Sequence, residues 1–266
     1  MVSEPVSPTE EQQALDLLEP PPLRLRSEPM EWREETISGH DGHKFGGWLV
    51  VPDRGSGPGM VVCQEIFGIT DYIKGVCDRL AGLGYVALAP ELYSRIEPGL
   101  VLDEREPDNF PRALQAGQQL DFAQAVDDSV AALEHLRGLP EVENGRVGVI
   151  GFCLGGGLAF LAAAANDPEI SVCYYGSAIA HVLDRAPQVT CPVIFHFGTE
   201  DKYISAEQVE AVERAFAGRD AEFHLHPDAG HAFDNHNEAI FSRPEAAARA
   251  WEETVDFLAR RFPPAG

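Results

Sequence analysis

Lysine is nearly absent from this 266-residue chain: Lys44, Lys74 and Lys202 are the only ones, and arginine supplies the remaining positive charge. Against 20 basic residues stand 43 acidic ones, for a net charge of −23 and a pI of about 4.6. A surface of that sign repels nucleic acid and anionic lipid, so neither is an expected partner. Long hydrophobic runs are also missing, since none approaches the ~18 apolar residues that span a bilayer. The N-terminus lacks a basic and apolar signal segment. Five cysteines, an odd number without regular spacing, suit a reducing compartment better than a disulfide framework. A cytoplasmic protein is therefore expected. No internal repeat is visible. Gly155-Gly156-Gly157 does follow a strand, but the G-x-G-x-x-G order and its ribose-binding acid are not there, so no nucleotide cofactor is expected.

What is present is a chain whose hydrophobic content of 44% can fill a substantial core. Residues 1–30 are acidic and proline-rich (Pro20-Pro21-Pro22 among them) and read as an extension, with a short helix at Glu10 to Leu18 that the prolines end. Residues 31–266 read as one domain. Glu31 to Ile37 and Phe45 to Val51 form an opening hairpin, and Met60 to Cys63 is the first fully apolar strand. A helix at Tyr72 to Leu83 stops at Gly84, and a strand at Tyr85 to Ala89 is closed by Pro90. Glu91 to Gly117 reads as irregular, a lid or pocket wall carrying Tyr93 and Arg95. A helix follows at Asp121 to Leu136. Later strands lie at Val172 to Tyr175, Val193 to Phe197 and Glu222 to His226, with helices at Ala206 to Phe216 and Pro244 to Phe262. Strands alternating with helices imply an α/β fold with a mostly parallel sheet covered on both faces.

The chain is organised around Val147 to Gly157. Val147, Val149 and Ile150 form a short buried strand, and Gly151-Phe152-Cys153-Leu154-Gly155 has the small-x-nucleophile-x-small spacing of a nucleophile elbow. A nucleophile on so tight a strand-to-helix turn sits at strained φ/ψ, and side chains at the flanking positions would collide with strand and helix. The apolar run from Leu158 to Ala165 is the helix that follows, and its N-terminus favours a thiolate on Cys153. A buried structural cysteine is the plain alternative.

A cysteine nucleophile needs a base, and the base an orienting acid. Asp201 ends the Val193 strand, with Glu200 as its nearest rival, and His231 lies just past the last strand. Nucleophile, acid and histidine in that order is the α/β-hydrolase order. His224 and His226 with His231 raise a metal site, but no Asp, Glu or Cys constellation completes it, and no metal is expected. The other four cysteines read as small core residues.

From about residue 31 to 262 the chain resembles dienelactone hydrolases, the cysteine-dependent branch of the α/β-hydrolases. The resemblance rests on Gln64-Glu65-Ile66-Phe67-Gly68, Pro90-Glu91-Leu92-Tyr93-Ser94-Arg95, Gly151 to Gly156, Tyr174-Tyr175-Gly176 and Gly230-His231-Ala232-Phe233. It implies an α/β-hydrolase fold and a cofactor-independent hydrolase of small lactones or carboxylic esters, of carboxymethylenebutenolidase type, using Cys153, His231 and Asp201. It implies that Glu65 contacts the resting thiol and moves away when substrate binds. The amides of Leu154 and Ile66 would form an oxyanion hole. Arg95 would pair with a substrate carboxylate, and Tyr93 and Phe67 would wall the pocket. The sequence departs from the family after His231, where Asn235 occupies the position of a second carboxylate-binding arginine; Arg243 is the next arginine along.

The rival expectations are a broad carboxylesterase or thioesterase that prefers neutral substrates, and a non-catalytic relative of the fold used for binding. The expected partner is a small ester or lactone, with the chain a monomer or small homo-oligomer.

Overall fold

The computed structural model describes residues 30–237 and 240–265. The proline-rich extension and its short helix lie outside the described residues, Met30 excepted. Eight strands form one sheet: β1 (Trp32–Ser38), β2 (Lys44–Val50), β3 (Gly57–Cys63), β4 (Val86–Pro90), β5 (Val142–Phe152), β6 (Ser171–Tyr174), β7 (Val193–Gly198) and β8 (Ala221–His226). Their spatial order is β1-β2-β4-β3-β5-β6-β7-β8. The opening hairpin β1–β2 and the β2–β4 pair are antiparallel, and every other pairing is parallel. Strands β3, β4 and β6 are buried at every position, as a sheet covered on both faces requires.

The helices are α1 (Asp71–Gly82), α2 (Asn109–Gln119), α3 (Phe122–Arg137), α4 (Leu154–Asn166), α5 (Ala206–Ala215) and α6 (Pro244–Arg261). Local chemistry starts several of them. Asp121 accepts from the N–H groups of Ala123 and Gln124 at the head of α3, and Ser205 makes a reciprocal capping box with Gln208 at the head of α5. Helix α4 needs no polar cap because its head is the elbow itself, and all its residues from Gly155 to Ala163 are buried.

One expectation is corrected. The stretch from Glu91 to Gly117 is not wholly irregular, for α2 begins within it at Asn109 and runs on to Gln119. Pro111 looks like a breaker, but it sits in the first helical turn, where an N–H would have no intrahelical acceptor anyway. The helix carries Phe110 and Leu114 to the pocket.

Because β3, β5, β7 and β8 run parallel, their C-terminal ends share one edge. Glu65, Cys153, Asp201 and His231 all lie just beyond those ends. No helix among the described residues is long and apolar enough to cross a membrane.

Candidate active site

The elbow is as tight as the glycines foretold. Cys153 has φ 54° and ψ −114°, a conformation that costs a non-glycine residue about 1–3 kcal/mol. What holds it there is close backbone approach on both sides. A Cβ on Gly151 would stand 1.9 Å from the carbonyl oxygen of Gly155, and one on Gly155 would stand 2.1 Å from that of Cys63. The Cys153 N–H donates to the Tyr174 carbonyl at 3.1 Å, tying the turn to the neighbouring strand β6.

From this turn the Cys153 sulfur faces His231, with Sγ to Nε2 at 3.0 Å. The other ring nitrogen, Nδ1, is 2.8 Å from Asp201 Oδ2. Asp201 is itself fixed, since its Oδ1 accepts from the N–H groups of Tyr203 at 2.8 Å and Ile204 at 3.1 Å. The carboxylate therefore holds the tautomer with the proton on Nδ1 and leaves Nε2 to the sulfur. Burial opposes the charged imidazole, but the Cys153 sulfur and the Asp201 carboxylate outweigh it and raise the His231 pKa well above its ordinary value. Glu200, the rival acid, is exposed, and its backbone N–H is spent on Ala229.

Past His231 the chain makes a buried turn. Asp234 accepts from the Tyr72 hydroxyl at 2.6 Å and from Arg79 at 2.9 Å, which ties this turn to α1. Tyr175 lies against the imidazole, 5.4 Å between ring centres.

Glu65 is 3% exposed, and its Oε2 accepts from Asn235 Nδ2 at 2.6 Å. Its Oε1 is buried without a hydrogen-bond partner among the described residues. The expected contact between Glu65 and the resting thiol is thus not made in this conformation, in which the sulfur faces His231. Burial pushes the Glu65 carboxyl up to about 7, against the lowering effects of the Asn235 hydrogen bond and the nearby His231.

Leu154 is the first residue of α4, so its N–H has no acceptor within the helix. Ile66 lies on the facing loop, and the Tyr93 hydroxyl donates to the Ile66 carbonyl at 3.0 Å. Tyr93 is 1% exposed and belongs to a small cluster with Phe67, Leu100, Leu102, Ala113 and Ala116. It supports the Ile66 segment from behind and is not pocket wall, which corrects that assignment. Phe67 does line the pocket.

The cavity over Cys153 encloses about 160 Å³. Besides Cys153, His231, Glu65 and Asn235 its wall is chiefly apolar: Ile66, Phe67, Phe110, Leu114 and Phe241. Residues on α2 and beyond Asn235 carried no motif, so sequence reasoning missed Phe110, Leu114 and Phe241.

Arg95 is the larger correction. Its Nε and Nη2 bind both oxygens of buried Asp128, at 2.7 and 2.8 Å, and its Nη1 and Nη2 bind Asp41 at 2.8 and 3.1 Å. Two carboxylates consume the guanidinium fork, and Arg95 is not among the residues lining the cavity. Asn235 does line it, but its Nδ2 serves Glu65 and its Oδ1 accepts from the Asn237 N–H at 3.0 Å. Arg243 lines a neighbouring cavity that shares Tyr203, His231 and Phe241 with this one.

The His-x-His pair of β8 is corrected as well. His224 and His226 do not turn to His231; they face His196 on β7 and Glu253 on α6, so a carboxylate does complete the cluster.

A mostly parallel sheet in this strand order, with Cys153 on an elbow after β5 and Asp201 and His231 after β7 and β8, defines the α/β-hydrolase fold. Comparison with known proteins narrows the class. Residues 45–262 match the model of the dienelactone hydrolase family. A carboxymethylenebutenolidase of Cupriavidus pinatubonensis is 37% identical over 224 residues, covering 84% of this chain and 94% of that protein. One of Pseudomonas putida is 35% identical over 225 residues, with the same coverage of 84% and 94%. Among solved structures, a dienelactone hydrolase-like promiscuous phosphotriesterase from metagenomic libraries superposes with a TM-score of 0.73 at 25% identity, covering 86% of this chain and 98% of that one. The chain belongs to the dienelactone hydrolase family, and with it to the ester- and lactone-cleaving hydrolases.

Proposed function

We propose that the protein hydrolyses small lactones or carboxylic esters through a thioester on Cys153, within a single catalytic unit spanning residues 31–266. The observation that carries this reading is the continuous contact from Cys153 Sγ through the His231 ring to Asp201, at 3.0 and 2.8 Å. The Cys153 thiol gives its proton to His231 Nε2, and the resulting thiolate adds to the substrate carbonyl carbon while the carbonyl electron pair moves to oxygen. The N–H groups of Leu154 and Ile66 receive that oxyanion. Collapse of the intermediate expels the alcohol or enol oxygen, which takes the proton from His231 Nε2. Water then gives a proton to Nε2, adds to the thioester carbon and releases the Cys153 thiolate. Five free thiols agree with action in a reducing cytoplasm.

Glu65 has a positioning part. Held by Asn235, it leaves the sulfur to His231; freed from Asn235, it would compete for the thiol, and a carboxylate beside a thiol disfavours ionisation.

The substrate class follows from what meets the ligand. Carboxymethylenebutenolidase is the name of the relatives, and a lactone of that kind carries a carboxylate. Here Arg95 is engaged by Asp41 and Asp128, and His231 is the only basic side chain among the described residues that line the cavity. This favours a second reading within the same chemistry, in which neutral esters and lactones with small apolar acyl groups are the better substrates. Steady-state kinetics on an anionic dienelactone beside a neutral aryl ester tests it. A kcat/KM about tenfold or more higher for the neutral ester supports the neutral class. A higher value for the dienelactone returns the substrate to that of the named relatives, and turnover of neither overturns the hydrolase reading.

A further inference from the structure

Away from Cys153, on the β8 side of the sheet, two buried histidines and a glutamate converge. His196 comes from β7, His226 from β8 and Glu253 from α6. His196 Nδ1 lies 3.1 Å from His226 Nε2, and Glu253 Oε2 lies 3.6 Å from each of them. That carboxylate oxygen is buried and has no hydrogen-bond partner among the described residues. An anionic oxygen shut away from water without a donor is costly. It therefore asks for a cation.

The surrounding hydrogen bonds decide which lone pairs face inward. The Tyr174 hydroxyl donates to the Ala250 carbonyl at 3.0 Å, so its oxygen accepts from Thr254 Oγ1 at 2.7 Å. Thr254 Oγ1 is then left to accept from His196 Nε2 at 3.0 Å. This places the His196 proton on Nε2 and a lone pair on Nδ1, which accepts from His226 Nε2 at 3.1 Å; a bound metal would take the place of that shared proton. The other Glu253 oxygen, Oε1, is 3.1 Å from His224 Nδ1, which steers the carboxylate from outside.

The geometry points to a divalent transition-metal site of the zinc type at His196 Nδ1, His226 Nε2 and Glu253 Oε2, separate from the Cys153 centre, with water as the fourth ligand. Ligands about 2.1 Å from a tetrahedral zinc stand roughly 3.4 Å from one another. The edges of 3.1, 3.6 and 3.6 Å bracket that spacing, and a point about 2.1 Å from all three atoms lies just off their plane, as in a tetrahedron. Two imidazoles and one carboxylate suit zinc, cobalt, nickel or copper, and disfavour magnesium and calcium, which want oxygen throughout. Thr254 and His224 supply the outer hydrogen bonds that ligating groups normally have. The Glu253 side chain is 33% exposed, so the site lies near the surface although Oε2 itself is buried. Such a clamp would join β7, β8 and α6. Asp201 leaves β7 just beyond His196, and His231 leaves β8 just beyond His226, so the metal would brace both loops without touching substrate.

The test uses the full chain, stripped with EDTA and titrated with zinc chloride by calorimetry, and separately with cobalt(II) by visible absorption. The Cys153→Ala variant is run in parallel because the thiol could capture either ion. The expected result is one equivalent of zinc, a rise in Tm, and tetrahedral cobalt bands without a thiolate charge-transfer band, all kept in Cys153→Ala. Glu253→Gln should abolish the bands and the Tm rise, and His224→Gln should weaken binding by about 10- to 100-fold. Zinc binding that vanishes in Cys153→Ala and survives in Glu253→Gln overturns the assignment, as does no binding at all. Should Glu253→Gln fail to fold, the wild-type cobalt spectrum decides: tetrahedral bands without thiolate character uphold the site, and their absence removes it.

Discussion

Asn235 donates from Nδ2 to Glu65 Oε2 at 2.6 Å, so the residue standing where the family's second arginine is expected binds the protein's own carboxylate. Replacing it by alanine would strand that carboxylate in a buried place. Asn235→Ala is expected to cost about 1–3 kcal/mol in urea unfolding, with the larger loss at pH 8, where Glu65 is charged. Equal stability of variant and wild type at pH 8 would show that the contact holds nothing.

Glu65 also sets a pH dependence. Its folded pKa is raised to about 7, above the ordinary carboxyl value of 4.5, so between those values the native state binds the proton that the unfolded state has lost. Stability contributed by this group therefore falls as pH rises from about 4.5 to 7, and levels off above. Glu65→Gln removes the penalty, and its amide oxygen can still accept from Asn235. The variant should exceed wild type in stability at pH 8, by up to about 3 kcal/mol, and the gap should close toward pH 4. Thermal unfolding across that range reads it; a gap that widens on acidification reverses the sign of the argument.

Arg95 offers the sharpest contrast with family expectation. Paired to buried Asp128 and to Asp41, it is a structural residue. Arg95→Ala should destabilise the fold by about 2–4 kcal/mol, since it leaves the Asp128 carboxylate unpaired. Per folded molecule, kcat/KM for an anionic lactone and for a neutral ester should both stay within about twofold of wild type. A selective rise in KM for the anionic substrate would restore Arg95 to substrate binding.

Phe110 and Leu114 narrow the cavity from α2. Leu114→Ala should raise the kcat/KM of esters with bulkier acyl chains relative to acetate esters, measured as a ratio so that a general loss of activity cancels. An unchanged ratio would place the acyl group elsewhere.

The strands and the elbow were legible in the sequence because their signals are local. Apolar runs mark β3 to β7, and glycine at 151 and 155 marks a turn where a Cβ would strike backbone. The order of Cys153, Asp201 and His231 was legible too, since parallel strands bring their following loops to one edge. What was not legible depends on partners distant in the chain. Arg95 reads as a free cation until Asp41 and Asp128 are seen around it. Nothing near Asn235 announces Glu65. Helix α2 was hidden by Pro111, whose place in the first turn depends on where the helix begins. The completion of His224 and His226 by His196 and Glu253 needs the β7–β8 register and the docking of α6, neither of which is written in spacing.

The most direct test of the account is to mix the protein with a neutral aryl ester, quench during the first turnovers, and measure the intact mass and the modified peptide. The account predicts the acyl mass on the peptide bearing Cys153, and no adduct in Cys153→Ala, with turnover down about ten-thousandfold and an unchanged fold. Full turnover by Cys153→Ala would contradict it outright.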